Sequence, residues 1–103
     1  MGRKLVRLHP AARAELRESV QFYRERAGEV WATRFKEKVA AGFRAIESNP
    51  TRYRELVESP GVRRIRLSQF PFSLFYIVRA EYIWVVAVAH GSRSPDYWKM
   101  RLL

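Results

Sequence analysis

Cysteine is absent from the 103 residues, which removes disulfides, thiolate chemistry and cysteine-based zinc sites together. Histidine occurs only at positions 9 and 90, and Asp and Glu together number ten. These supply no spaced set of metal ligands, so neither a metal nor another cofactor is expected. Long apolar runs are missing too. The longest, Tyr82 to Ala89, has the length of a strand, far below the ~20 residues that cross a bilayer. The opening Met1-Gly2-Arg3-Lys4-Leu5 lacks the unbroken apolar stretch of a signal peptide. No Gly-rich phosphate loop and no Ser-His-Asp arrangement occurs. The expectation is one soluble cytoplasmic domain over residues 1–103, with no membrane partner.

Acid is scarce relative to base. Twenty Lys and Arg stand against ten Asp and Glu, leaving a formal charge of +10, and sixteen of the twenty are Arg. Residues 1–58 carry thirteen basic and eight acidic side chains, whereas residues 59–103 carry seven and two, so the uncompensated charge lies in the second half. Guanidinium presents a planar fork that pairs bidentately with phosphate or carboxylate. Such a field favours an anionic partner, either nucleic acid or an acidic protein segment, although a basic surface also serves solubility alone.

Residues Lys4 to Leu8 mix charged and apolar side chains over strand length, and are read as a half-buried strand. Pro10 suits a first helical turn, where its missing N–H costs nothing. The spacing Ala12, Leu16, Val20, Tyr23, Ala27 predicts a helix to about Ala27, and Gly28 interrupts it. A second helical stripe follows at Trp31, Phe35, Val39, Phe43 and Ile46, stopped by Ser48-Asn49-Pro50. Beyond Pro60-Gly61 the period changes to two. Val62 to Leu67, Phe72 to Arg79 and Tyr82 to Ala89 read as an antiparallel meander, with a turn at Ser68 to Pro71 and a tight connection at Ala80-Glu81. Asp96 to Leu103 is a short tail with some helical character. The order β-α-α-β-β-β defines an α+β class, an αα hairpin packed on a small, mainly antiparallel sheet.

Residues two apart on a strand share a face. Arg64 and Arg66 then point away from Ile65 and Leu67. Ser73, Phe75, Ile77 and Arg79 oppose Phe72, Leu74, Tyr76 and Val78, while Tyr82, Trp84, Val86, Val88 and His90 oppose Ile83, Val85, Ala87 and Ala89. With the helices on one face, the other is expected to stay open. Two Arg side by side on it form a candidate anion clamp, or else decorate a solvated surface. At the end of the last strand, His90 to Trp98 brings an imidazole, Arg93, Tyr97 and Trp98 into nine residues. One reading is a polyanion site, with Arg93 on phosphate, Tyr97 or Trp98 stacked on a base, and His90 moving a proton. The other makes His90 a backbone-bonded strand end and Trp98 a plug for the tail. His9 reads as a helix-start residue.

Several stretches resemble one family of proteins. They are Leu8-His9-Pro10-Ala11-Ala12-Arg13-Ala14-Glu15-Leu16, Phe22-Tyr23, Ile46-Glu47-Ser48-Asn49-Pro50 and Val62-Arg63-Arg64. The closest are Phe70-Pro71-Phe72-Ser73-Leu74-Phe75-Tyr76 and Val85-Val86-Ala87-Val88-Ala89-His90-Gly91-Ser92-Arg93. Together they are similar to the ParE/RelE superfamily of type II toxin–antitoxin (plasmid stabilisation) toxins, over nearly the whole chain and in the same order. The resemblance implies the β-α-α-β-β-β fold, a bacterial or archaeal cytoplasmic toxin, a cognate antitoxin whose flexible segment wraps it, and a toxin–antitoxin heterotetramer among the assemblies. ParE-like members poison DNA gyrase by binding; RelE-like members cut messenger RNA on the ribosome. The segment His90-Gly91-Ser92-Arg93-Ser94-Pro95 looks more ParE-like. On that branch, Arg63, Arg64, Arg66, Arg93 and Trp98 are the expected anion- or target-binding residues. On the ribonuclease branch, Arg64, Arg66, Arg79, His90, Arg93 and Tyr97 are the expected catalytic set. An inert member kept as an interaction module is the third alternative.

Overall fold

Pro10 opens the first helix as expected, and the His9 imidazole caps it by accepting the Ala11 N–H at Nδ1, 3.0 Å away. A computed structural model describes residues 3–103 and places strand β1 at Leu5–Leu8, helix α1 at Pro10–Ala27 and helix α2 at Glu29–Ser48. Strands β2 (Val62–Arg66), β3 (Phe72–Val78) and β4 (Tyr82–His90) follow, and a 3₁₀ helix at Lys99–Leu102 closes the chain. One residue, Gly28, makes the corner of the helical hairpin. Its φ of 96° suits glycine; its N–H reaches the carbonyls of Tyr23 and Arg24, and its own carbonyl accepts from Ala32. A single residue therefore ends α1 and starts α2.

The hairpin covers one face of a four-stranded sheet of order β1-β4-β3-β2. Phe35 of α2 packs against Tyr23, Phe70 and Phe72 at ring separations of 5.1, 5.3 and 4.9 Å, and Ala12, Ala32, Phe35, Ile46, Leu74, Tyr76, Ile83 and Val85 are fully buried there. Gly42 sets the approach of α2 to the sheet: a Cβ at that position would lie 2.8 Å from Leu74 Cδ1. The meander is antiparallel, as the sequence predicts, but β1 joins the sheet parallel to β4, pairing Leu5 to Leu8 with Tyr82 to Val85. β1 is thus an edge strand, and Glu47 of α2 accepts its Val6 N–H at 2.8 Å, which blunts that edge.

Two expectations from the sequence are corrected. Val86 has no partner in the β3–β4 register, which steps from Phe75↔Ala87 to Tyr76↔Val85. This bulge shifts the alternation by one. Val88 therefore packs with Val85 under the helices, and Val86, Ala87 and Ala89 turn to the other face. That other face is not open. The tail folds back across it, and the Trp98 ring, 1% exposed, packs 5.0 Å from Phe75 beside Val62, Val86, Ala87 and Ala89.

Candidate anion-binding cleft

β4 outruns its parallel neighbour. β1 ends opposite Val85, where the His9 N–H donates the last bond to the Val85 carbonyl, so residues 86–90 have no strand on that side. Side chains take its place. Glu15 of α1 accepts the Val88 N–H at 3.0 Å, and Arg101 of the tail donates to the Val86 carbonyl at 2.9 Å. The two side chains then meet in a double hydrogen bond, 2.9 Å on each arm, and the Tyr97 hydroxyl donates to Glu15 at 2.7 Å. Arg101 and Glu15 are 17% and 12% exposed, so solvent screens the pair only weakly. The Glu15 carboxylate holds the Arg101 guanidinium above its ordinary value. Burial, followed by the bond to Glu15, pushes the Tyr97 phenol well above its own.

This lock fixes the tail so that a cleft of about 300 Å³ forms along the outer face and end of the sheet. Its floor is Phe75, Ala89 and Trp98; Arg64, Ser73, His90, Arg93 and Tyr97 surround it, with Glu58 as its acid. The register explains the assembly. Arg64 stands opposite Phe75 and Arg66 opposite Ser73, which in turn faces Ala89, so the two cations project beside the β4 end. Arg66 lines an adjoining depression that shares Arg64, Ser73 and Gly91 with the cleft. The Arg93 guanidinium lies 3.9 Å above the Tyr97 ring, a cation–π contact that aims it. Arg64, Arg66 and Arg93 have no ion-pair partner among the described residues. Two unpaired guanidinium groups, Arg64 and Arg93, at an apolar floor, with Arg66 beside them, can hold an oxyanion.

Other residues singled out from the sequence lie elsewhere or are engaged. Arg63 points to the opposite face, where it donates to the Thr51 and Tyr53 carbonyls and pairs with Glu55 at 3.4 Å; it braces the 51–55 segment. Arg79 follows the last residue of β3, while the cleft lies at Ser73, six residues and about 20 Å along the strand. Its N–H closes the hairpin onto Tyr82. Trp98 is too buried to stack on a base; its Nε1 has no partner. The Tyr97 hydroxyl donates its one O–H to Glu15, and burial keeps the phenol protonated well above its ordinary range, so it offers neither a free acid proton nor a phenolate base. His90 is exposed at the strand end, with Nδ1 accepting from Ser92 N–H at 2.9 Å and its ring edge-on to Phe72; the neutral ring therefore carries its proton on Nε2.

Sequence reasoning missed Glu15 and Arg101. Glu15 sits in a helix rich in charge and looks like any solvated position, and Arg101 is one cation among twenty. Only the unequal lengths of β1 and β4 create the gap they fill.

Residues 6–95 match the family model described as the ParE toxin of type II toxin–antitoxin system, parDE. The matched segment stops two residues short of Tyr97. Among solved structures, a chain of a chromosomal ParDE toxin–antitoxin system from P. aeruginosa is similar, with a TM-score of 0.75 and 19% identity over 84% of this chain and 95% of that one. At that identity the likeness speaks for the fold. No curated protein matches.

Proposed function

Given that the chain belongs to the ParE toxin family of type II toxin–antitoxin systems, we propose that it arrests growth by binding DNA gyrase without bond-making chemistry of its own. In this reading a cognate antitoxin neutralises it, the pair assembling as a heterotetramer in the cytoplasm, where gyrase works. The target is engaged through the cleft, with Arg64, Arg66 and Arg93 as anion-binding residues and His90 as a polar contact at its rim.

One observation carries this choice over an RNA-cutting activity. Cleavage needs a base for the ribose hydroxyl, charge stabilisation on the phosphate and an acid for the leaving oxygen. The cleft supplies the second through its guanidinium groups. Its one phenol is tied to Glu15, Arg79 is remote, and His90 would have to serve both other roles. Cations that grip without a proton-transfer pair suit a toxin that holds its target. Purified protein should inhibit gyrase supercoiling or trap cleaved DNA at micromolar concentration. Absence of any effect there, together with codon-phased cuts in a translation extract, would replace this reading with the ribonuclease. Absence of both, with unimpaired growth on expression without antitoxin, would leave an inert interaction module.

A further inference from the structure

The tail crosses the outer face of the sheet but stops short of one end. Beyond the side chains that Trp98 covers, two rows run across the strands. Leu5 of β1 stands beside Tyr82 of β4, whose carbonyl accepts the Arg79 N–H. Arg7 stands beside Trp84, which faces Ile77 of β3. Leu5, Arg7 and Arg79 are exposed, while Tyr82, Trp84 and Ile77 are half-buried. Trp84 and Ile77 border the Trp98 cluster. The Tyr82 and Trp84 rings stand edge to face, 5.8 Å apart at 81°, so neither stacks on the other. The Arg7 guanidinium lies 5.0 Å over the Tyr82 ring, and the His9 ring lies 5.7 Å from that of Trp84. Arg7 and Arg79 have no ion-pair partner among the described residues. The rows carry no acid, and Glu81 stands in the turn beyond them. None of their side chains lines the cleft or the depression beside it.

We propose that this end of the sheet binds single-stranded DNA, with unpaired bases on the Tyr82 and Trp84 rings and phosphates on Arg7 and Arg79. β4 is an inner strand of the sheet. Rings two residues apart on it, about 6.6–6.8 Å along the strand, give neighbouring nucleotides of an extended chain a stacking place each. β1 sets Arg7 on one flank and β3 leads to Arg79 on the other. Flat aromatic surface between cations matches a single strand, whose base faces are free, whereas a duplex keeps those faces inside its own stack. The formal charge of +10 draws a polyanion to the face. An acidic peptide would satisfy the cations and leave the rings without a flat partner. A second copy of this chain would set Arg7 and Arg79 against their own kind. Apart from the Tyr82 hydroxyl, no group on the rows can read a ribose 2′-hydroxyl, so bases and phosphates suffice and the strand is DNA. The proposal goes beyond the gyrase reading and does not rest on it.

The test is fluorescence anisotropy with purified full-length protein and a fluorescein-labelled DNA of mixed sequence, about 20 nucleotides long so that it exceeds the footprint of one ring-lined site. The strand is presented free, annealed to its complement, and as RNA of the same sequence. The free DNA should bind in the micromolar range, more tightly than the duplex despite carrying half its charge, and at least as tightly as the RNA. Trp84→Leu and Tyr82→Val, which keep an apolar side chain at each position, should each weaken single-strand binding at least about fivefold, the loss of one stacked base, and leave duplex binding unchanged. Arg7→Ala should weaken it severalfold and flatten its salt dependence. Lys36→Ala, an equal charge change at an exposed position on α2, should not. Tighter binding to duplex or to RNA would overturn the assignment. So would a single-strand preference that survives both ring substitutions, or one that disappears in Arg64→Ala and Arg93→Ala, which would move the strand to the cleft. Because a free oligonucleotide is the readout, failure here leaves the gyrase reading intact, and a protein that binds the strand without inhibiting gyrase counts against that reading alone.

Discussion

Glu15 and Arg101, 86 positions apart in the chain, are joined by two parallel N–H···O bonds of 2.9 Å and between them complete the backbone bonding of β4 where β1 ends. The cleft depends on this pair, because the tail it anchors holds Trp98 on the floor and Tyr97 beneath Arg93. Arg101→Met should leave a poorly solvated carboxylate and cost about 2–4 kcal/mol, toward the lower end of what breaking a buried pair costs because both groups retain some exposure. Urea unfolding checks it. The paired replacement Glu15→Gln/Arg101→Met should recover part of the loss.

Alkaline pH should weaken the fold through two phenols. Burial raises Tyr97 well above its usual range and Tyr76, whose hydroxyl donates to the Pro50 carbonyl at 2.7 Å, to about 12. Both therefore keep their protons in the folded chain after the unfolded chain has begun to release them. Their contribution is complete below pH ~10 and is lost as pH rises above it, at no more than about 1.4 kcal/mol per pH unit for each. The share of Tyr97, which is only partly buried, is reduced by solvent screening. Urea midpoints measured across the alkaline range should fall, and Tyr76→Phe should flatten the slope.

Gly42 is the contact point of α2 with the sheet. Gly42→Val would drive its side chain into Leu74, which is fully buried, and overpacking of this kind costs about 1–3 kcal/mol. Thermal unfolding should show the loss, while Gly42→Ala should be milder, since the gain in helix propensity offsets part of the clash.

The hairpin and the meander were legible because each segment announces itself locally: helical stripes, Gly28 at the corner, period two after Gly61. The rest depends on relations between distant segments. Nothing near Leu5 shows that its strand will lie parallel to β4. The bulge at Val86 hides in an unbroken apolar run, Val85 to Ala89, that has no alternation to betray a shift of phase. The cleft was half legible. Arg64, Arg66, His90 and Arg93 converge because β2 and the end of β4 flank the same end of β3, while Arg79, with the same face parity as Ser73, lies at the other end. Parity assigns a face but not a position along it.

Electrostatic engagement of the target should show in rates as well as affinity. Association with an anionic partner through Arg64, Arg66 and Arg93 should slow as salt rises, and Arg66→Ala should reduce that dependence, a comparison accessible by surface plasmon resonance.

The most direct measurement is gyrase supercoiling against protein concentration for the wild type, Arg64→Ala, Arg93→Ala and Arg79→Ala. The account predicts inhibition by the wild type and by Arg79→Ala at similar concentrations, and about a tenfold rise in the half-inhibitory concentration for Arg64→Ala and Arg93→Ala, the loss of one charge-assisted contact each. Equal potency in all four proteins, or a loss confined to Arg79→Ala, would contradict it.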